Sequence, residues 1–149
     1  MTLSTAKITE QIGHDLLSVL PRLNRIVARE LRSEAGDDPT LVQLRVLDRL
    51  AEEPMTLSEL ARRREISPQA ASEHVQSLVE RGWVVRIPDP HDRRSSLLRL
   101  TDEGERRLAQ MRTHIAEHLS PMFARMTAHE AEATRQALLA LRRILVDEE

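Results

Sequence analysis

Apolar residues recur at three- and four-residue steps through most of this chain, the spacing typical of amphipathic helices. Residues 6–33 carry one such stripe, which includes Ile8, Leu16, Leu23 and Leu31. The sequence Gly-Asp-Asp-Pro at residues 36–39 then interrupts the pattern. The spacing predicts a first long helix over residues 6–33.

Two further helices are predicted to begin at capping boxes, in which a threonine and a Gln or Glu three residues later bond each other's main chain. Thr40 stands three residues before Gln43, and Thr56 three residues before Glu59. Leucines follow both threonines at helical spacing. We predict a second helix from residue 40 to 54 and a short third helix from residue 56 to about 65.

A fourth helix is predicted from residue 67 to 81. Ser67 can cap it, and Pro68 fits its first position, where a missing N–H costs nothing. Gly82 ends it. Beyond Gly82 the pattern changes to two short apolar runs at residues 83–87 and 97–100, separated by Pro-Asp-Pro-His-Asp-Arg-Arg-Ser. These runs predict a two-stranded hairpin with an arginine-rich tip.

The remainder of the chain is predicted to be helical. Thr101 caps a long helix whose apolar stripe is interrupted near Pro121, and Thr127 with Glu130 opens a last helix. The acidic residues 147–149 follow it.

This order of elements predicts a mainly α fold with a small β-hairpin wing, a winged helix-turn-helix flanked by dimerisation helices. We expect a single domain over residues 1–149. In it, residues 40–101 form the DNA-binding lobe, and residues 1–36 and 102–149 form the dimerisation helices. Although the formal net charge of the chain is -2, eight arginines stand against six carboxylates between residues 54 and 101. This local excess favours double-stranded DNA as the partner.

Composition excludes several other classes of protein. The chain has no cysteine, which excludes disulfides, zinc-thiolate sites and thiol redox sensing. No apolar run approaches the roughly 18 residues of a membrane span, and no signal peptide is recognisable, so we expect a cytoplasmic protein without membrane contact. Trp83 and Phe123 are the only aromatic residues, which disfavours base-stacking platforms.

The segment ELARRREISPQAASEHVQSLVERGWVVRIPDPHDRRSSLLRLTDEG, residues 59–104, resembles the winged-helix core of the MarR family of bacterial transcription regulators. Asp92, Arg94, Leu100 and Thr101 fit the wing pattern D-x-R-x5-L-T of that family, and the resemblance covers nearly the whole chain. It implies a homodimeric, ligand-responsive repressor on a pseudo-palindromic operator, without enzymatic activity or cofactor. It also implies a pocket for a small amphipathic organic ligand between the dimerisation helices and the DNA-binding lobe.

In the wing, Arg94 is the candidate for insertion into the minor groove, whose negative potential attracts guanidinium groups. We expect Asp92 to orient Arg94 by accepting hydrogen bonds from its guanidinium. Arg93 is the candidate for a phosphate contact.

The outward face of the fourth helix supplies the other candidates. Gln69, Ser72 and Gln76 can read base edges or phosphates, and the main-chain N–H groups near Ser67 can hold a phosphate. Pro68 removes one of these donors. Glu73 must either accept from a cytosine amine or repel the DNA backbone, and both alternatives are open. On the third helix, Arg62 and Arg63 are candidates for phosphate contact, alongside Arg64.

The apolar stripes of the terminal helices exceed what a small winged-helix core can cover, which favours a symmetric homodimer. His114 and His118 stand at i and i+4, a spacing that can place two imidazoles on one metal ion. Convincing further ligands are missing, so we expect no metal. A metal-dependent hydrolase lacks the glutamate of H-E-x-x-H. A protein-binding adaptor that uses the winged helix without DNA is the better rival.

Overall fold

The computed structural model describes residues 5–32, 40–92 and 94–146, which contain six helices and one small sheet. The elements are α1 (Thr5–Leu31), α2 (Leu41–Glu52), β1 (Met55–Thr56), α3 (Leu57–Arg63), α4 (Pro68–Glu80), β2 (Val84–Pro88), β3 (Ser96–Leu100), α5 (Asp102–Phe123) and α6 (Ala128–Val146). The chain divides into two compact units, Met1–Arg112 and Thr113–Glu149.

The predicted capping boxes are confirmed. The side chain of Thr40 accepts the N–H of Gln43, and the Gln43 side chain in turn accepts the N–H of Thr40 at 2.9 Å. Thr56 and Glu59 form the same reciprocal pair at the start of α3. Thr127 and Glu130 repeat it before α6. Each box satisfies main-chain donors that the first turn of a helix leaves unpaired.

α3 and α4 are each followed by a residue with a positive φ angle. Gly82, with φ of 73°, follows α4, and the N–H of Trp83 donates to the carbonyl of Leu78. Glu65 has φ of 51° after α3, so this helix ends at Arg63 rather than at the predicted residue 65. A left-handed residue cannot continue a right-handed helix, and glycine adopts that conformation with less strain than glutamate.

The sheet has three strands, where the sequence predicted a two-stranded hairpin. The order is β1-β3-β2, and both neighbouring pairs are antiparallel. Met55 lies opposite Leu98, and Val84 lies opposite Leu100. The prediction missed β1 because a strand of two residues shows no alternation of apolar and polar positions.

The core of the first unit lies where α2, α3, α4 and the sheet meet. Leu47, Leu60, Val75, Leu78 and Leu98 are completely buried there. Four residues of α4 are predicted from their spacing to face inward; Ala71, Val75 and Leu78 are buried, whereas Val79 is half-buried. An ion pair between Asp48 and Arg112, at 2.7 Å, joins α2 to the first part of α5.

Near Pro121, where an interruption of the apolar stripe is predicted, α5 continues through the proline and ends two residues later at Phe123. A proline inside a helix removes one hydrogen bond to the carbonyl four residues earlier. Pro121 stands two residues before the end of α5, so little of the helix lies beyond that missing bond. α1 likewise contains a proline, Pro21.

Large apolar side chains on α1 and α6 are exposed to solvent. Leu17 on α1 is 73% exposed, and Leu138 and Leu145 on α6 are each 60% exposed. Ile8, Ile12, Val19, Leu20, Leu139 and Ile144 are also exposed. Over the described ranges, the helices are too polar or too short to cross a membrane.

Candidate nucleic-acid interface

The exposed face of α4 is a polar stripe opposite its buried side. Gln69, Glu73, Gln76 and Glu80 follow one another at four-, three- and four-residue steps, and all four are exposed. Gln69 Nε2 donates to Glu73 Oε1 at 3.3 Å, and Gln76 Nε2 donates to Glu80 Oε1 at 3.0 Å. We call these four residues the α4 polar stripe. It has hydrogen-bonding groups on a rigid helix, the arrangement that reads base edges in the major groove.

The first turn of α4 is capped by Ser67, whose Oγ accepts the N–H of Ala70 at 3.1 Å. Pro68 occupies the first helical position and has no N–H. Pro68 therefore has no N–H to donate to a phosphate, and the N–H of Ala70 is already bonded to Ser67. Among the predicted reading residues, Gln69 and Gln76 are exposed, whereas Ser72 is half-buried.

The wing consists of β2, β3 and the loop that joins them, with Arg94 exposed at its tip. Main-chain hydrogen bonds shape this loop: the N–H of Asp89 donates to the carbonyl of Ser95 at 3.2 Å, and the N–H of Ser95 donates to the carbonyl of Asp92 at 2.9 Å. The side chain of Asp89 accepts the N–H of His91 at 2.8 Å. These hydrogen bonds therefore define the turn at the tip of the wing, which exposes Arg94 to solvent.

The contact between Asp92 and Arg94 differs from the one that the sequence predicted. Asp92 Oδ1 accepts the main-chain N–H of Arg94 at 2.9 Å. The predicted hydrogen bond to the Arg94 guanidinium does not occur among the described residues. A carboxylate bonded to the main chain two residues ahead forms an Asx-type turn, so Asp92 acts on the backbone that carries Arg94. Arg93, the predicted phosphate contact, lies outside the described residues.

At its base the wing is tied to α4 and α5 by Thr101. Its Oγ1 donates to the carbonyl of Gly82 at 2.6 Å and accepts the N–H of Gly104 at 3.0 Å, while its own N–H donates to the carbonyl of Trp83. A Cβ on Gly104 would lie 2.1 Å from the Trp83 carbonyl oxygen. The first turn of α5 can therefore approach the main chain of Trp83 this closely only with glycine at position 104.

Trp83 completes this junction. Its side chain is buried, and the guanidinium carbons of Arg81 and Arg107 lie 5.1 and 5.7 Å from its ring centroid. These distances are typical of cation–π contacts. Neither the tryptophan nor the glycine was among the predicted site residues, since they position the wing without reaching its tip.

The three consecutive arginines at the end of α3, Arg62 to Arg64, have different surroundings. Arg62 is exposed, and Arg63 forms an ion pair with Glu53 at 2.8 Å. Arg64 is half-buried, and its Nε atom is buried without a hydrogen-bond partner in the described residues. Burial lowers the pKa of the Arg64 guanidinium, and the neighbouring Arg45 and Arg49 lower it further. Arg62 is therefore the most accessible of the three for a phosphate.

The capping glutamates are held in their charged form. Hydrogen bonds from the main chain and the side chain of Thr56 lower the pKa of Glu59, and Arg63 and Arg62 add a smaller effect. Thr127 lowers the pKa of Glu130 in the same way. A hydrogen bond from Arg135 and one from Gln136 lower the pKa of Glu132, and the same contact raises the pKa of Arg135. Glu59 and Glu130 lie at the starts of α3 and α6, whereas the contact between Glu132 and Arg135 lies on the exposed surface of α6.

His114 and His118 lie close together on α5, with ring centroids 4.1 Å apart. His118 Nδ1 lies 2.9 Å from the main-chain oxygen of His114. In the parts of the chain that the structure describes, no three side chains of His, Cys, Asp or Glu are grouped in a way that could hold a metal ion.

The α4 polar stripe, the capped turn before it and the wing with Arg94 at its tip define a winged helix-turn-helix of the DNA-binding class. The sequence model of the MarR family matches residues 37–95. An uncharacterized HTH-type transcriptional regulator of Mycobacterium bovis is 31% identical over 140 residues, which cover 93% of this chain and 94% of that protein. The chain belongs to the MarR family, whose members are DNA-binding transcriptional regulators and not enzymes.

Solved structures show the same fold. The RV1404 protein of Mycobacterium tuberculosis superposes with a TM-score of 0.74 at 25% identity, over 96% of this chain and 95% of that one. The transcriptional repressor CouR, solved bound to a 23-mer DNA duplex, superposes with a TM-score of 0.67 at 25% identity, over 98% of this chain and 99% of that one.

Proposed function

We propose that this protein is a homodimeric repressor that binds a pseudo-palindromic operator. α4 enters the major groove, and the wing places Arg94 in the adjacent minor groove. The observation that carries this proposal is that the α4 polar stripe and the exposed Arg94 lie on neighbouring elements. α4 packs against β2, which is one strand of the wing. The similarity to CouR, a repressor bound to DNA, supports it.

The remaining interface residues have separate roles in this proposal. Gln69 and Gln76 read base edges, while Ser67 and the half-buried Ser72, near the start of α4, lie close to the DNA backbone. Arg62 and Arg93 meet phosphates, and Asp92 fixes the turn that presents Arg94. Pro68 sets the direction of the first turn. In this scheme residues 40–101 are the DNA-binding lobe.

The homodimer, with residues 1–36 and 102–149 as its dimerisation helices, is proposed from the exposed apolar side chains of α1 and α6. A soluble monomer rarely exposes large contiguous apolar patches, and most oligomers of identical chains are two-fold symmetric. α1 exposes leucines and isoleucines of this kind, and so, in the second unit, does α6. A second copy of the chain, packed on these faces, would exclude water from them and present two copies of α4 to one duplex.

A selected operator is expected to bind two chains per duplex and to bind at least about 10³-fold more tightly than scrambled DNA of the same length. The physical reason is that both copies of α4 must find matching bases about one helical turn apart. Fluorescence anisotropy at fixed salt measures the affinities, and light scattering on the complex measures the stoichiometry.

A duplex that carries one half-site and one scrambled half is the matched control, and it should bind much more weakly than the full operator. Equal affinity for operator and scrambled DNA would contradict sequence-specific binding. One chain per operator, or a free protein that is monomeric at micromolar concentration, would contradict the dimer.

We further propose that a small amphipathic organic ligand releases the protein from DNA. A groove of about 400 Å³ on α1 supports this proposal, because arginine side chains around an apolar residue suit an aromatic carboxylate. Its lining consists of Ile26, Arg22, Arg25, Arg29 and Arg32. The ligand acts only through a difference in affinity between the two states of the dimer, and a tenfold difference is about 1.4 kcal/mol.

Titration of salicylate-like acids into the operator complex is expected to weaken DNA binding at least about tenfold, whereas Arg25→Ala should reduce that response. Zinc is titrated separately into the wild type and into His114→Ala/His118→Ala. A zinc effect on DNA affinity that is present in the wild type and absent from the double variant would replace this proposal with a metal sensor.

A further inference from the structure

The α4 polar stripe contains two carboxylates and no cation, which is unusual for a surface that approaches DNA. Pro68–Glu80 contains no lysine or arginine, and Glu73 and Glu80 are both exposed. Each carboxylate would be repelled by nearby phosphates unless it finds a hydrogen-bond donor on the DNA. The effect of each glutamate on DNA binding therefore depends on how deeply its carboxylate enters the groove.

Glu73 lies closer than Glu80 to the start of α4, the part of the helix that would meet base edges in the groove. It is the sixth residue of α4, and the N-terminal residues of a recognition helix contact base edges. Glu80 is the last residue of the helix, about 10 Å farther along its axis. Both glutamates accept a hydrogen bond from a glutamine four residues earlier, so their local environments are matched.

The hydrogen bond from Gln69 determines what Glu73 can recognise. It holds the Glu73 carboxylate toward the start of α4, and an ionised carboxylate can only accept hydrogen bonds. In the major groove, the exocyclic amines of cytosine N4 and adenine N6 are donors, whereas guanine and thymine present acceptors to this position. The second N–H of the Gln69 amide can donate to the acceptor atom that lies beside such an amine.

We propose that Glu73, positioned by Gln69, selects a base with an exocyclic amine, cytosine or adenine, at one position of each half-site and excludes guanine and thymine there. This inference rests on the proposed function, in which α4 reads the major groove. Glu73 contributes specificity because it disfavours guanine and thymine, which present hydrogen-bond acceptors. Its negative charge also lowers the affinity for DNA of any sequence.

The test is selection from a random duplex library with the full-length wild type, with Glu73→Ala and with Glu80→Ala as the matched control. Both variants remove one carboxylate and its glutamine partner contact from the same face, and alanine favours the helix. The wild type should prefer one amine-bearing base over guanine and thymine by about tenfold at one position per half-site. Glu73→Ala should reduce this preference to within about twofold, and Glu80→Ala should leave it unchanged. Enrichment of cytosine or of adenine distinguishes the two sources of the amine.

A Glu73→Ala variant that binds every sequence more tightly with an unchanged selected motif, the result expected of Glu80→Ala, would overturn this inference alone, since Glu73 would then only repel the DNA backbone. A Glu73-dependent position that prefers guanine or thymine would overturn it as well. A wild type that enriches no sequence would overturn the proposed function and this inference together.

Discussion

Replacement of Arg94 by alanine is expected to weaken operator binding about 100-fold while changing the free energy of unfolding by less than about 0.5 kcal/mol. Arg94 is exposed at the tip of the wing and contributes nothing to the core. A guanidinium that recognises its site contributes on the order of 1–3 kcal/mol, and the proposed dimer would lose two of them. A loss of about 1.4 kcal/mol at each wing gives the 100-fold effect. Fluorescence anisotropy at constant salt and urea unfolding measure the two quantities.

Arg99→Ala is the matched control for this prediction. Arg99 is exposed on β3 of the same hairpin, where its main chain pairs with Val85 rather than with the tip. The substitution removes the same charge, so it measures the general electrostatic contribution of an arginine in the wing. We expect a loss of affinity within about threefold. Arg94→Ala binding within about twofold of the wild type at the same salt, or equal losses for both variants, would show that the wing does not read the minor groove.

Gly104→Ala is expected to lower the free energy of unfolding by about 3 kcal/mol, the upper end of the usual range for overpacking. The added Cβ would lie 2.1 Å from the carbonyl oxygen and 2.9 Å from the carbonyl carbon of Trp83. Both are main-chain atoms, so relief requires the first turn of α5 to move away from Trp83 and disturbs the hydrogen bonds of Thr101. The midpoint of thermal unfolding should fall by about 6–12 °C, as followed by circular dichroism.

Gly13→Ala provides the comparison. Gly13 lies inside α1, and a Cβ there would meet no atom within 4 Å. Alanine is favoured over glycine in a helix by roughly 0.5–1 kcal/mol, so this variant should be as stable as the wild type or more stable. If Gly104→Ala unfolds with a free energy within about 0.5 kcal/mol of the wild type, the close approach of α5 to Trp83 does not hold the wing in place.

Much of the candidate site could be predicted from the sequence because its determinants are local. The alternation of buried and polar positions in α4 assigns Gln69 and Gln76 to the exposed side, since a helix presents residues three and four apart on one face. The tip of a hairpin is exposed whatever it packs against, which places Arg94 in solvent. The same reasoning could not supply the contact made by Asp92, because a carboxylate near an arginine can bond either its guanidinium or its main chain.

The sequence by itself determined the helices, their starts and the polar side of α4. Capping boxes such as Thr40 with Gln43 and periodic leucines act over three or four residues, so they operate before any tertiary contact forms. Only the tertiary structure decided that Met55 and Thr56 pair with β3, that Arg112 reaches Asp48 and that Gly104 lies against Trp83. Those contacts join residues far apart in the chain. They form only when the helices have packed, because the spacing along the sequence does not specify which distant atoms then approach.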